Sequence, residues 1–133
     1  MNEQASKRNY DVGAIVSTDL TVPNADVLKE FYAQVIGWIP EELNMGGEPA
    51  YVDYIMKDAQ GKWVGGICHA RRENADIPPQ WIVYIHVADI KKSIEKCKKL
   101  GGKIIKEAFD KRGHYRYAMI QDPEGAIIAV THG

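Results

Sequence analysis

The sequence is poor in the features that assign a protein to a class at once. It has two cysteines, Cys68 and Cys97, too few for a disulfide framework and not spaced as a CxxC metal pair, so each is expected to be a small buried hydrophobe. No stretch approaches the roughly 20 apolar residues that a membrane span needs, and Met1–Tyr10 lacks the apolar core of a signal peptide. A protein in the cytoplasm, with no membrane partner, is the expectation. Charge of one sign is lacking too: 17 basic residues face 18 acidic ones, for a formal net charge of −1. Phosphate backbones need a clustered positive field, so no nucleic acid is expected as partner. Lys91, Lys92, Lys96, Lys98 and Lys99 do cluster, but with Glu95 they fall between the apolar positions of a helix and read as its solvated face. No Gly-rich phosphate loop, GxSxG elbow or HExxH helix occurs.

What is present is a repeat. Gln121-Asp122-Pro123-Glu124-Gly125 is a tight turn between apolar strands, with proline presetting one dihedral and glycine allowing a positive one. A shift of 64 positions lays Asp122, Gly125 and Ile128 on Asp58, Gly61 and Val64, while Val22 to Val87 and Gly37 to Gly102 are both 65 apart. Such periodicity fixes architecture more firmly than any one segment does.

The elements follow the same period. Residues 1–11 read as a mobile arm, 12–133 as one domain: module one over 12–70, a polar connector over 71–80, and module two over 81–133. Ala14–Val22 is expected as a strand, with Val16, Leu20 and Val22 on one face and Ser17, Asp19 and Thr21 on the other. Asn24 is placed to cap a helix through Leu28, Phe31, Tyr32, Val35 and Ile36, which Gly37 stops. Three strands follow, near 39–43, 50–57 and 62–70. Trp81–Val87 restarts the pattern, Asp89 caps a second helix ended by Gly101-Gly102, and strands near 103–108, 114–121 and 126–131 complete it. The fold class is α+β, two tandem βαβββ modules.

The Phe31-Tyr32 and Gly37-Trp38 pairs, Gly65-Gly66, Trp81-Ile82-Val83-Tyr84, the Val87-Ala88-Asp89 helix start and Asp122-Pro123-Glu124-Gly125-Ala126 carry a family likeness over nearly the whole chain. The sequence resembles the glyoxalase and bleomycin-resistance group, the vicinal oxygen chelate superfamily. That resemblance implies a curved eight-stranded mixed sheet around a cavity with helices outside, a small-molecule ligand, and a homodimer. In chelating members it implies a divalent metal held by side chains from the first and last strand of each module, with open positions for two substrate oxygens.

Counted from Asn24 and Asp89, and from the turn glycines, those metal positions fall on Ser17, Ile82, Gly65 and Ala129. Such residues do not build a divalent site. No cofactor is therefore expected, and a divalent metal only at a displaced site. Strand parity extends the inward-facing set to Asp19, Thr21, Ile67, His69, Tyr84, His86 and Thr131. These residues could form a displaced metal site around His69, His86 and Asp19, or an acid/base pair in which His86 titrates and Asp19 orients it. The alternative is that they hydrogen-bond one another or line a rim.

Tyr84 is the aromatic lining candidate. Arg116 either anchors an anionic ligand or braces the turn through Asp122. His114 is expected at the surface, and Trp38 in the core. Together these residues suggest metal-independent binding of a small, partly apolar organic ligand. The alternatives are a lyase, isomerase or dioxygenase with a non-standard metal site, and an interaction protein whose cavity is vestigial.

Overall fold

The computed structural model describes residues 10–132; apart from Tyr10 and Asp11, the expected arm lies outside the described residues. The elements are β1 (Ile15–Val22), α1 (Ala25–Ile36), β2 (Ile39–Gly46), β3 (Tyr51–Lys57), β4 (Trp63–His69), β5 (Ile82–His86), α2 (Ile90–Lys99), β6 (Lys103–Phe109), β7 (Tyr115–Gln121) and β8 (Ile127–Thr131). This is the α+β pattern expected, βαβββ used twice.

The chain divides into two compact units, one of residues Thr18–Trp81 and one of Ile82 onward together with the residues up to Ser17. The second unit thus claims the lead-in to β1, which the sequence assigned to module one. The reason is backbone pairing: Gly13 N–H donates to the His86 carbonyl and His86 N–H to the Ala14 carbonyl, each at 2.8 Å. The connector is also less irregular than its polarity suggests, with a short 3-10 turn at Arg72–Asn74 and Ile77 buried.

In the first unit the strand order is β2-β3-β4-β1, with β1 parallel to β4 and the other pairs antiparallel. Its core joins Leu20, Val22, Tyr54, Met56 and Ile67 to Ala25, Leu28 and Tyr32 of α1. Met56 and Ile67 are fully buried, and burial of each contributes about 1.5–3 kcal/mol. Trp38 is half-buried and packs against this core: its ring lies 5.8 Å from Tyr32 and 5.5 Å from Trp81, whose Nε1 donates to the Tyr32 hydroxyl at 3.1 Å. Gly37 ends α1 in the left-handed conformation at φ 90°, where a Cβ is disfavoured. Asn24 precedes the helix, but the expected cap is not made: its side chain makes no capping bond, and its carbonyl accepts the ordinary first helical bond from Leu28 N–H at 3.3 Å.

In the second unit the order is β5-β8-β7-β6, β5 running parallel to β8. Ile90 and Ile94 of α2 pack on Ala118 and Val130. Here the cap is made, Asp89 Oδ1 accepting from Lys92 N–H at 3.2 Å.

Candidate functional site

Residues paired across neighbouring strands point to the same side of a sheet. In the second unit, Val130 pairs with Ile85 and Ala118, and this set lies under α2. The opposite face therefore carries two rows: Tyr84, Ala129 and Met119, then His86, Thr131 and Tyr117. The first row is closed, at 8%, 0% and 2% exposure, and Ile82 beside it is 1% exposed. The second row is half-buried throughout. The rings of Tyr84 and Tyr117 meet edge to face at 5.5 Å.

His86 stands at the partly open end. Its Nδ1 is buried and has no hydrogen-bond partner among the described residues. A buried ring nitrogen left unpaired is costly and calls for a partner that the described residues do not supply. Beside it, Thr131 Oγ1 donates to the Arg116 carbonyl at 3.0 Å. Arg116 itself is exposed, its guanidinium 5.8 Å from the Tyr117 ring centroid. The Asp122 turn needs no brace from it, because Asp122 Oδ1 already accepts from Glu124 N–H at 2.9 Å and Ala126 N–H at 3.0 Å.

In the first unit the register changes the expected face. Leu20 and Tyr54 both pair with Ile67, and Val22 pairs with His69, all on the side of α1. Asp19 and Thr21 lie on the other side with Gly66 and Cys68. Parity counted from the turn put Gly65, Ile67 and His69 with Asp19, and it is off by one. The cause is a bulge in β4: Met56 pairs with Gly65 but Lys57 with Trp63, so Val64 is an extra residue. β7 and β8 pair through Ile120–Ile128 and Gln121–Ile127 without a shift. The counterpart of Ala129 is therefore Gly66, not Gly65.

His69 is accordingly removed from the Asp19 face. Its Nδ1 lies 3.2 Å from Asp53 Oδ1, and its Nε2 3.6 Å from Asp26 Oδ1 at the start of α1. Asp53 Oδ1 also accepts from His69 N–H at 2.9 Å. Cys68, which sequence reasoning treated only as a small hydrophobe, takes the vacated place. Burial pushes its thiol up, and the charges of Asp19 and Asp53 push it the same way, so it is a neutral, inert group.

Of the seven ligand candidates, Ser17, Tyr84, His86 and Arg116 belong to one unit and Asp19, Thr21 and His69 to the other. Ser17 is half-buried and Thr21 buried. The register-corrected metal positions hold Ser17, Gly66, Ile82 and Ala129. One hydroxyl and three side chains without a donor do not fit a divalent ion. Among the described residues no group of three or more His, Cys, Asp or Glu side chains is arranged to hold one elsewhere. A displaced site built on His69, His86 and Asp19 loses His69 to the helix side.

An open hollow of about 460 Å³ lies away from the Tyr84–His86 face, between the start of α2 at Asp89–Lys91 and the Gly113–Tyr115 segment. His114 on its edge is an exposed surface residue, as expected from its turn.

Residues 14–130 match the family model described as Glyoxalase/Bleomycin resistance protein/Dioxygenase superfamily. A protein named as a glyoxylase, CFP32 of Mycobacterium tuberculosis, is 28% identical over 120 residues, which is 90% of this chain and 44% of that protein. The anthracycline biosynthesis protein DnrV of Streptomyces peucetius is 25% identical over 130 residues, 89% of this chain and 46% of DnrV. The chain thus spans less than half the length of these relatives. Among solved structures, methylmalonyl-CoA epimerase from Mycobacterium tuberculosis aligns with a TM-score of 0.52 at 11% identity, covering 95% of this chain and 93% of that one. The protein BH1468 from Bacillus halodurans aligns with a TM-score of 0.56 at 12% identity, covering 91% and 94%. At such identities the likeness is one of fold.

Proposed function

The chain belongs to the glyoxalase/bleomycin resistance protein/dioxygenase superfamily, and from that membership we propose that it binds a small, partly apolar organic ligand without the divalent ion of the chelating members. In each unit the candidate ligand face is the side of the sheet turned away from the helix; in the second unit the ligand rests against Tyr117 and Thr131 and exchanges a hydrogen bond with His86 Nδ1. The observation that carries this reading is that nitrogen, buried and unpartnered among the described residues at the partly open end of an otherwise closed apolar face. The half-buried Tyr117 ring offers stacking or edge contact to a planar ligand. Lewis-acid assistance at the family positions is not part of the proposal, because Gly66, Ile82 and Ala129 carry no donor.

A ligand-library thermal shift tests it, with an anthracycline and a CoA thioester included because the relative and the structural neighbour are named for them. A ligand held at a hundred times its Kd stabilises by about 2.7 kcal/mol, a shift of several degrees. At least one compound is expected to stabilise the wild type and to lose that effect in His86→Phe, which keeps a ring and removes the nitrogens. A library without a hit, or a hit indifferent to His86→Phe, contradicts the reading and favours an interaction protein. The proposal includes a homodimer, for which light scattering should give twice the chain mass of 14.9 kDa.

A further inference from the structure

We infer that Gly66 is a positioning residue for Asp19: its missing side chain leaves the room in which the carboxylate of β1 lies over β4. An acid group is thereby presented on this face although β4 carries none there. The inference rests on the proposed ligand face and adds how one polar contact on it is placed.

A Cβ built on Gly66 would come 2.7 Å from Asp19 Oδ1 and 3.5 Å from its Cγ, with the Tyr54 carbonyl at an ordinary 3.6 Å. The obstacle is thus the tip of a side chain that can rotate, and an alanine would fit by moving the carboxylate. Gly65 is the contrast. There a Cβ would meet the backbone carbonyl of Thr18 at 2.7 Å and its Cγ2 at 3.1 Å, and the backbone carbonyl cannot turn aside. Neither glycine has a positive φ, so neither is required by its own backbone conformation. Glycine inside a strand carries an entropic cost and packs nothing, so at both positions room is what remains to explain it.

At Gly65 the room admits β1 itself, and at Gly66 it admits a carboxylate. Cys68, the next residue on the same side of β4, registers that charge: after burial, Asp19 is the largest influence pushing its thiol up. A carboxylate only accepts hydrogen bonds, so the ligand group meeting Asp19 is a hydroxyl, an amide N–H or an ammonium.

The first arm of the test needs no ligand. Urea midpoints are measured for wild type, Gly66→Ala, Asp19→Ala and the double variant, with Gly65→Ala as control. Gly66→Ala is expected to lower the midpoint in the wild type and to leave it unchanged or raise it in Asp19→Ala, where nothing obstructs the new methyl. Gly65→Ala should lower it in both. An equal loss from Gly66→Ala in both backgrounds overturns the inference, as does a double variant that does not fold.

The second arm uses tyramine, which joins a phenol ring to an ammonium, and reads its Kd by calorimetry. Gly66→Ala and Asp19→Asn are each expected to weaken it at least tenfold, and the double no further. Wild-type affinity in Gly66→Ala overturns the positioning role. If tyramine does not bind the wild type, Asp19 as a ligand contact falls, while the urea comparison still decides whether Gly66 places it.

Discussion

Tyr54 shows how one buried hydroxyl ties a helix to its sheet. The residue is 5% exposed, and its OH donates to Asp26 Oδ1 at the start of α1. Burial, then the bond to Asp26, pushes its pKa up to about 12 from an ordinary 10.0. The neutral phenol is the form the fold holds. Its contribution is therefore complete below pH 10 and is lost as pH climbs through about 12. Asp26 is largely exposed, which keeps the bond toward the lower end of the range for a charged acceptor, and Tyr54→Phe should cost about 1–2 kcal/mol at neutral pH. Urea unfolding across pH 9 to 12 checks this: the wild type should lose stability along that limb more steeply than Tyr54→Phe. At this scale the sequence names the polar residues but not their sides. His69 is a histidine at the end of a strand by any reading. That it faces Asp26 and Asp53 rather than Asp19 depends on one extra residue at Val64, which has no distinguishing side chain.

The turns govern matters at the scale of elements, and there are three of one build where the repeat shows two. Asp58, Asp110 and Asp122 each accept through Oδ1 from the N–H groups two and four residues on, at 2.8–3.0 Å. In each, the glycine three residues on has a positive φ: 81° at Gly61, 85° at Gly113 and 100° at Gly125. At Asp110 the bond from His114 N–H, with help from Arg112 N–H, holds the carboxyl below its usual range. The spacing Asp110-Lys111-Arg112-Gly113 was legible in the sequence. It lies outside the 64-residue period, so the repeat alone does not pair it with the other two, and it shows that this turn closes hairpins generally. Replacing Asp58, Asp110 or Asp122 by alanine leaves two N–H groups to water and should loosen the hairpin that the turn closes. Amide exchange should quicken in the hairpin affected (β3–β4, β6–β7 or β7–β8) and not in the other two. The bulge is the converse case: the turns are alike, yet β4 gains a residue that β8 does not, so a count from the turn glycine transfers between modules only as far as Trp63.

For the whole molecule, the α+β repeat and the family were readable because period, strand parity and helix punctuation agree over residues 14–130. The site was less readable, since a face is a property of pairing between strands and not of one strand's alternation. Among the described residues no helix is long and apolar enough to cross a membrane. The relatives are more than twice as long as the stretch they share with this chain. What this chain does follows from its own faces: a closed apolar row, a partly open row ending in His86, and residues without donors at three of the four metal positions. Isothermal titration of the best-stabilising library compound into tag-free, chelator-treated protein tests that account most directly. It predicts one site per chain with a Kd unchanged by EDTA; binding that EDTA abolishes and one equivalent of Ni²⁺ or Zn²⁺ restores would contradict it.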